Sequence, residues 1–104
     1  MYALSVMLEI DPARREEFKA AVLRHAANTR TMEKDCLAFE VYESSTDPAR
    51  FYLHEVYASK AAVTEIHAVS PSMAEYSEKT AAWIRKKVWE EWNSLPGSPV
   101  EKNT

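Results

Sequence analysis

The chain has 104 residues, 46% of them hydrophobic and 28% charged, a composition ordinary for one globular domain and unlike that of a disordered or membrane-embedded chain. A net charge of −3 and a pI near 5.6 offer no general attraction to a phosphate backbone, and the one dense basic stretch, Arg85-Lys86-Lys87, is answered by Glu90-Glu91, so nucleic acid is not an expected partner. No apolar run approaches the roughly 20 residues that span a bilayer, and Met1-Tyr2-Ala3-Leu4 lacks the pattern of a secretory signal, so the expected compartment is the cytoplasm.

Tyr2 to Ile10 is almost continuously apolar, broken by Ser5 and Glu9, which predicts an interior strand with both faces covered. Asp11-Pro12 ends it. An Asp at the N-cap, Pro at the first helical position, and Glu16 and Glu17 near the positive end of the helix dipole predict a helix from Pro12 to about Thr31. Within it Phe18, Ala21, Val22, His25 and Thr29 recur at spacings of three and four, while Arg14, Arg15, Lys19 and Arg24 mark the wet side. That pattern turns His25 toward the sheet, with Asn28 one turn further on.

A charged turn, Glu33-Lys34-Asp35, leads into two strand-like runs, Cys36 to Glu43 and Arg50 to Tyr57, joined by a polar loop and expected to pair as an antiparallel hairpin. Cys36 is the lone cysteine, which leaves no internal disulfide or multi-cysteine metal site; burial as a small hydrophobe is its expected fate. Ser59 caps an expected second helix through Ala62, Val63 and Ile66. Ser70-Pro71 starts a third, aligning Met73, Tyr76, Thr80 and Trp83. Ile84 to Trp92, rich in Val and Trp, reads as a last strand, although Arg85-Lys86-Lys87 and Glu90-Glu91 also suit a continued helix. The domain is expected to span residues 1–93, and the segment 94–104, with Pro96-Gly97 and Pro99, to be a flexible tail.

The order strand, helix, strand, strand, helices, strand is the split βαβ arrangement of the α+β ferredoxin-like fold: a four-stranded antiparallel sheet with helices on one face. The hairpin carries apolar residues at both parities, Phe51, Leu53 and Tyr57 against Tyr52 and Val56, so the second face needs a cover. A second copy across a two-fold axis is the economical one, giving a homodimeric α/β barrel.

The strand followed by a Pro-started helix, the run Cys36-Leu37-Ala38-Phe39-Glu40-Val41, the run Phe51-Tyr52-Leu53-His54-Glu55-Val56-Tyr57, and His67 shortly before Ser70-Pro71 together resemble the antibiotic biosynthesis monooxygenase domain family over residues 2 to 93. The resemblance implies a small dimeric ferredoxin-like protein; the family includes cofactor-independent oxygenases of quinols and hydroxyaromatics, haem-degrading enzymes and an isomerase of a phosphorylated sugar. The family's Glu-Pro-Gly-Cys turn is here Glu33-Lys34-Asp35-Cys36, and Ser72 stands where many relatives have a histidine. Ser5 replaces the asparagine of the haem-degrading branch, which disfavours haem.

The resemblance places Glu55 toward the helices and a pocket, where a carboxylate must be paired, hydrogen-bonded or raised in pKa. It can serve as a base, orient an imidazole, or form a structural ion pair. His67, at the break between helices, reads as a base acting near neutral pH or as a half-exposed histidine at a helix C-terminus. His25 is either a third catalytic group or a satisfied core histidine. Tyr57, where the family often carries a Trp, with Tyr76, Trp83 and Asn28, forms the expected substrate wall, against plain core packing; Phe51, Met73 and Trp89 are assigned to packing and His54 to the dimer interface.

Three histidines with no close pair or acidic helper in sequence suggest no metal site, and a single glycine, Gly97, leaves no phosphate-cradling loop. The expected activity is thus cofactor-independent monooxygenation of a hydroxyaromatic or quinol by O2, with His67, Glu55 and His25 as catalytic residues. Two alternatives are an isomerase of a small sugar-like ketone, for which no Arg or Lys is evidently placed in the pocket, and a dimeric small-molecule-binding module indifferent to His67→Ala and Glu55→Ala.

Overall fold

A computed structural model describes residues 1–98. The chain runs through β1 (Tyr2–Ile10), a 3-10 turn (Pro12–Arg14), α1 (Arg15–Met32), β2 (Cys36–Glu43), β3 (Arg50–Tyr57), a π-helical turn (Ala62–His67), α2 (Pro71–Thr80), a second 3-10 turn (Ala81–Trp83) and β4 (Ile84–Asn93). The four strands form one antiparallel sheet in the order β2-β3-β1-β4, with the helices on one face, the ferredoxin-like topology. Among the described residues no helix is long and apolar enough to cross a membrane.

Local signals account for the element starts. The Asp11 carboxylate accepts a hydrogen bond from the Ala13 N–H at 3.0 Å, with Pro12 at the first helical position. Ser70 repeats the device for α2, accepting from the Met73 N–H at 3.1 Å ahead of Pro71. The segment from Ile84 forms a strand, not a continued helix. As an interior strand, β1 has a second edge of backbone donors and acceptors to satisfy, and β4 pairs with it from Tyr2 opposite Asn93 to Ile10 opposite Ile84.

The core lies between the sheet's inner face and the helices. Tyr2, Leu4, Val6, Leu8 and Ile10 of β1 point into it, with Phe51, Leu53 and Tyr57 of β3. α1 buries Phe18, Ala21, Val22, His25, Ala26 and Thr29. Phe18 ties three elements together: its ring centroid lies 5.0 Å from that of Phe51 on the sheet and 6.3 Å from that of Tyr76 on α2. Burial of such a ring is worth roughly 1.5–3 kcal/mol.

Two expectations need correction. β1 was read as covered on both faces, but in the single chain only its helix-side face is: Met7 on the outer face is 47% exposed, and Tyr42, Val88 and Trp92 share that surface. The segment capped by Ser59 is a π-helical turn whose Ala68 N–H donates to the Val63 carbonyl at 2.8 Å, five residues back. This wider turn carries His67 inward beside Ala62 and Val63, and leaves Ile66, expected to pack, 47% exposed.

Residues 99–104 of the expected flexible tail lie outside the described residues. At its start, Ser94 is tied to the residue before β1 in the adjacent strand: its N–H donates to the Met1 carbonyl at 3.1 Å and its Oγ accepts from the Met1 ammonium at 3.0 Å.

Candidate active site

A cavity of about 410 Å³ opens between the inner face of the sheet and the helical layer. Leu4, Val6, Leu8 and Leu53 make its floor; Val63, Met73 and Tyr76 form the helical side, and Phe39, Ile84 and Trp89 complete a largely apolar wall. Six polar side chains interrupt that wall: His25, Glu55, His67, Ser77, Thr80 and Lys87.

Glu33, Glu55 and His67 are buried together, each less than a tenth exposed. His67 Nδ1 lies 3.1 Å from both carboxylate oxygens of Glu33, so the hydrogen-bond network assigns the ring proton to Nδ1, from which it is donated to Glu33. In that tautomer Nε2 is left as an acceptor, 3.6 Å from Glu55 Oε1. The Tyr57 hydroxyl donates to the same Glu55 oxygen at 2.7 Å. Burial drives the Glu55 carboxyl above its ordinary range, opposed by the Tyr57 hydrogen bond and by attraction to His67 and Lys87. Tyr57 itself is held protonated, chiefly by burial and then by the adjacent carboxylate.

His25 approaches from α1. Its Nδ1 lies 2.9 Å from Ser72 Oγ, its ring stacks on Tyr76 with centroids 4.5 Å apart and planes 7° apart, and the His67 ring centroid is 5.3 Å away. Burial, and then repulsion from His67, lowers its pKa from 6.5 to about 4. Ser72, just after Ser70-Pro71, thus presents a hydroxyl bonded to His25.

His25, Glu55, His67 and Tyr76 meet at the cavity; the other expected residues do not line it. Tyr57 is fully buried behind Glu55 and faces a second cavity of about 270 Å³, shared with Glu33 and Cys36. Asn28 lies in a shallow cleft on the outer side of α1 and α2, beside Arg24 and Glu75. Trp83 sits beyond the cavity's end, with the Arg14 guanidinium 6.0 Å from its ring centroid. The aromatic lining comes instead from Phe39, Tyr76 and Trp89; Met73 and Trp89, assigned to packing, both border the cavity. His67 is not half-exposed, and the histidines do have a close pair and an acidic helper, His25 with His67 and Glu33 with His67. Among the described residues these groups do not converge as a set of three metal ligands. Burial pushes the Cys36 thiol up to about 11, which fits a packing role.

Glu33, read as part of a polar turn, had a usable signal: it continues the buried face of α1 four residues beyond Thr29, and its N–H donates to the Thr29 carbonyl at 2.9 Å. Lys87 shares strand parity with Trp89, so the two fall on one face of β4.

The fold and this site define a small α+β domain with a buried carboxylate–imidazole pair opening into an apolar cavity. The chain belongs to the antibiotic biosynthesis monooxygenase family, whose model matches residues 1–79. It is similar in structure to a candidate antibiotic biosynthesis monooxygenase from Nitrosomonas europaea, 22% identical, with a TM-score of 0.86 over 92% of this chain and 100% of that one. A candidate from Caulobacter crescentus is 22% identical, with a TM-score of 0.85 over 91% and 90% of the two chains. One from Deinococcus radiodurans is 16% identical, with a TM-score of 0.85 over 98% and 100%. No curated protein matches the chain in sequence.

The two buried titrating groups act on stability in opposite senses. His25 is depressed, so the unfolded chain binds its proton more readily, and the stability it contributes is present above about pH 6.5 and lost as pH falls toward about 4. Glu55 is raised, so its contribution is present below the ordinary carboxylate range and lost as pH rises. In urea unfolding at pH 7.5 and 4.5, His25→Phe is expected to lose roughly 2–3 kcal/mol less than wild type on acidification. Parallel losses in the two proteins would mean that His25 is not held neutral by the fold.

Proposed function

We propose that the protein is a cofactor-independent monooxygenase of a hydroxyaromatic or quinol. The observation that carries this reading is the Glu33–His67 pair: a carboxylate fixes the tautomer of an imidazole that lines an aromatic-walled cavity, and leaves its Nε2, 3.6 Å from Glu55, as the proton acceptor. A substrate hydroxyl bound there would give its proton to Nε2. The resulting electron-rich anion passes one electron to O2, and the radical pair joins through a new carbon–oxygen bond as a peroxide anion, which takes the proton back from Nε2 to become a hydroperoxide at a carbon that still bears hydrogen. Cleavage of the O–O bond with loss of water leaves one oxygen atom on the carbon as a carbonyl. The protein's part is the base, desolvation of the anion and orientation of the ring, with Glu55, its pKa raised by burial, beside the base at the cavity.

Membership in the family and the candidate monooxygenases of similar fold support this reading. The isomerase reading gains one observation, since Lys87 lines the cavity although the sequence had placed no cation there with conviction. The otherwise apolar lining favours a flat aromatic ring over a polyhydroxylated sugar.

The working unit proposed is a homodimer joined through the outer face of the sheet, where Met7, Tyr42, Val88 and Trp92 are each about half exposed. Sedimentation equilibrium at micromolar concentration is expected to give twice the chain mass, and Trp92→Glu to shift it to the monomer; a monomeric wild type would refute this assembly.

The catalytic reading is tested by oxygen uptake of metal-free protein with a panel of anthrones, naphthols and quinols. Uptake is expected with at least one substrate, and His67→Ala should lower kcat/KM by about 10²–10⁴-fold. Uptake indifferent to His67, or absent across the panel, would count against the oxygenase.

A further inference from the structure

We propose that Lys87 makes this cavity selective for a flat substrate of about two fused rings that carries an anionic group at the end opposite its reacting hydroxyl. The inference rests on the hydroxyaromatic reading of the cavity and deepens it.

Lys87 sits opposite Leu8 of β1 and Glu55 opposite Leu4, on strands that flank β1 on its two sides. Lys87 therefore lies two strand spacings across and four residues along from Glu55, a separation of about 16 Å between Cα atoms. Both side chains rise from the helix-side face and line the same cavity, so a ligand that touches both must be elongated, on the order of a pair of fused rings. Trp89, on the same face of β4 and opposite Val6, is 53% exposed and offers its indole to such rings near the Lys87 end.

The charge at Lys87 is uncommitted. Its neighbour of like parity, Arg85, is 3.3 Å from Asp11, whereas no carboxylate lies within ion-pair distance of the Lys87 ammonium among the described residues. At the opposite end the acidic groups are engaged, Glu33 by His67 and Glu55 by Tyr57. A largely apolar cavity thus has a proton acceptor at one end and an unpaired, solvent-reaching ammonium at the other. Lys87 also attracts the Glu55 carboxylate electrostatically, which places its field inside the cavity. A substrate anion would meet that field without displacing an existing pair, and the flexible lysine stem lets the ammonium follow it.

The test uses binding alone, followed by tryptophan fluorescence and calorimetry, with 6-hydroxy-2-naphthoate, its isomer 1-hydroxy-2-naphthoate, in which hydroxyl and carboxylate are adjacent, and uncharged 2-naphthol. Wild type is expected to bind 6-hydroxy-2-naphthoate about tenfold more tightly than either of the others, with the advantage shrinking as salt is raised. Lys87→Gln should bring that compound down to the affinity of 2-naphthol, and Lys87→Arg should keep the preference. Equal binding of the three by wild type, a preference that survives Lys87→Gln, or tighter binding of dihydroxyacetone phosphate than of the naphthoate would overturn the proposal. Failure of the oxygenase reading appears elsewhere, as absent oxygen uptake in a protein that still shows the Lys87-dependent preference.

Discussion

The contact between Glu33 and His67 is the constraint on which the rest of the site depends. A carboxylate removed from water costs several kcal/mol unless a donor meets it, and here both of its oxygens lie 3.1 Å from one imidazole nitrogen. Satisfying that carboxylate requires three elements to meet. The end of α1 must deliver Glu33, the π-helical turn must swing His67 inward, and β3 must bring Glu55 and Tyr57 alongside. An ordinary α-helical turn after Ser59 would favour the inward Ile66 that the sequence suggests; the wider turn exchanges that apolar contact for a polar one.

The sheet order then converts this buried pair into a site. With β1 between them, β3 brings Glu55 beside His67 on one side and β4 holds Trp89 and Lys87 on the other. The helices roof over the space between without filling it. In such a low-dielectric cavity the few charged and hydrogen-bonding groups act strongly, which is what the proposed proton transfer from a substrate would use. His25 contributes differently: stacked on Tyr76 and bonded to Ser72, it is held neutral and so adds no cationic charge beside His67 near neutral pH.

Much of the fold was legible in the residues because short-range signals agreed with one another. Asp11-Pro12 and Ser70-Pro71 announced two helix starts, and the buried face of α1 followed its apolar spacing through Thr29. The order of elements then left few topologies other than split βαβ. The site was legible in part. His67, Glu55 and His25 stood out as polar groups in apolar surroundings, and all three border the cavity. Glu33 was missed because its neighbours Lys34 and Asp35 look like a solvent turn, and burial of a carboxylate depends on a partner 34 residues away. Tyr57 and Trp83 were misplaced for a related reason: parity and helical spacing tell which face a side chain takes, but not whether it borders a cavity or fills the wall behind one.

The most direct test of the account is the protonation of the His67 ring, read by long-range proton–nitrogen correlation NMR on nitrogen-15-labelled protein near neutral pH. A proton on Nδ1, held by Glu33, is expected, with a signature that changes in Glu33→Gln. An unprotonated Nδ1, or a His67 spectrum indifferent to Glu33, would contradict it.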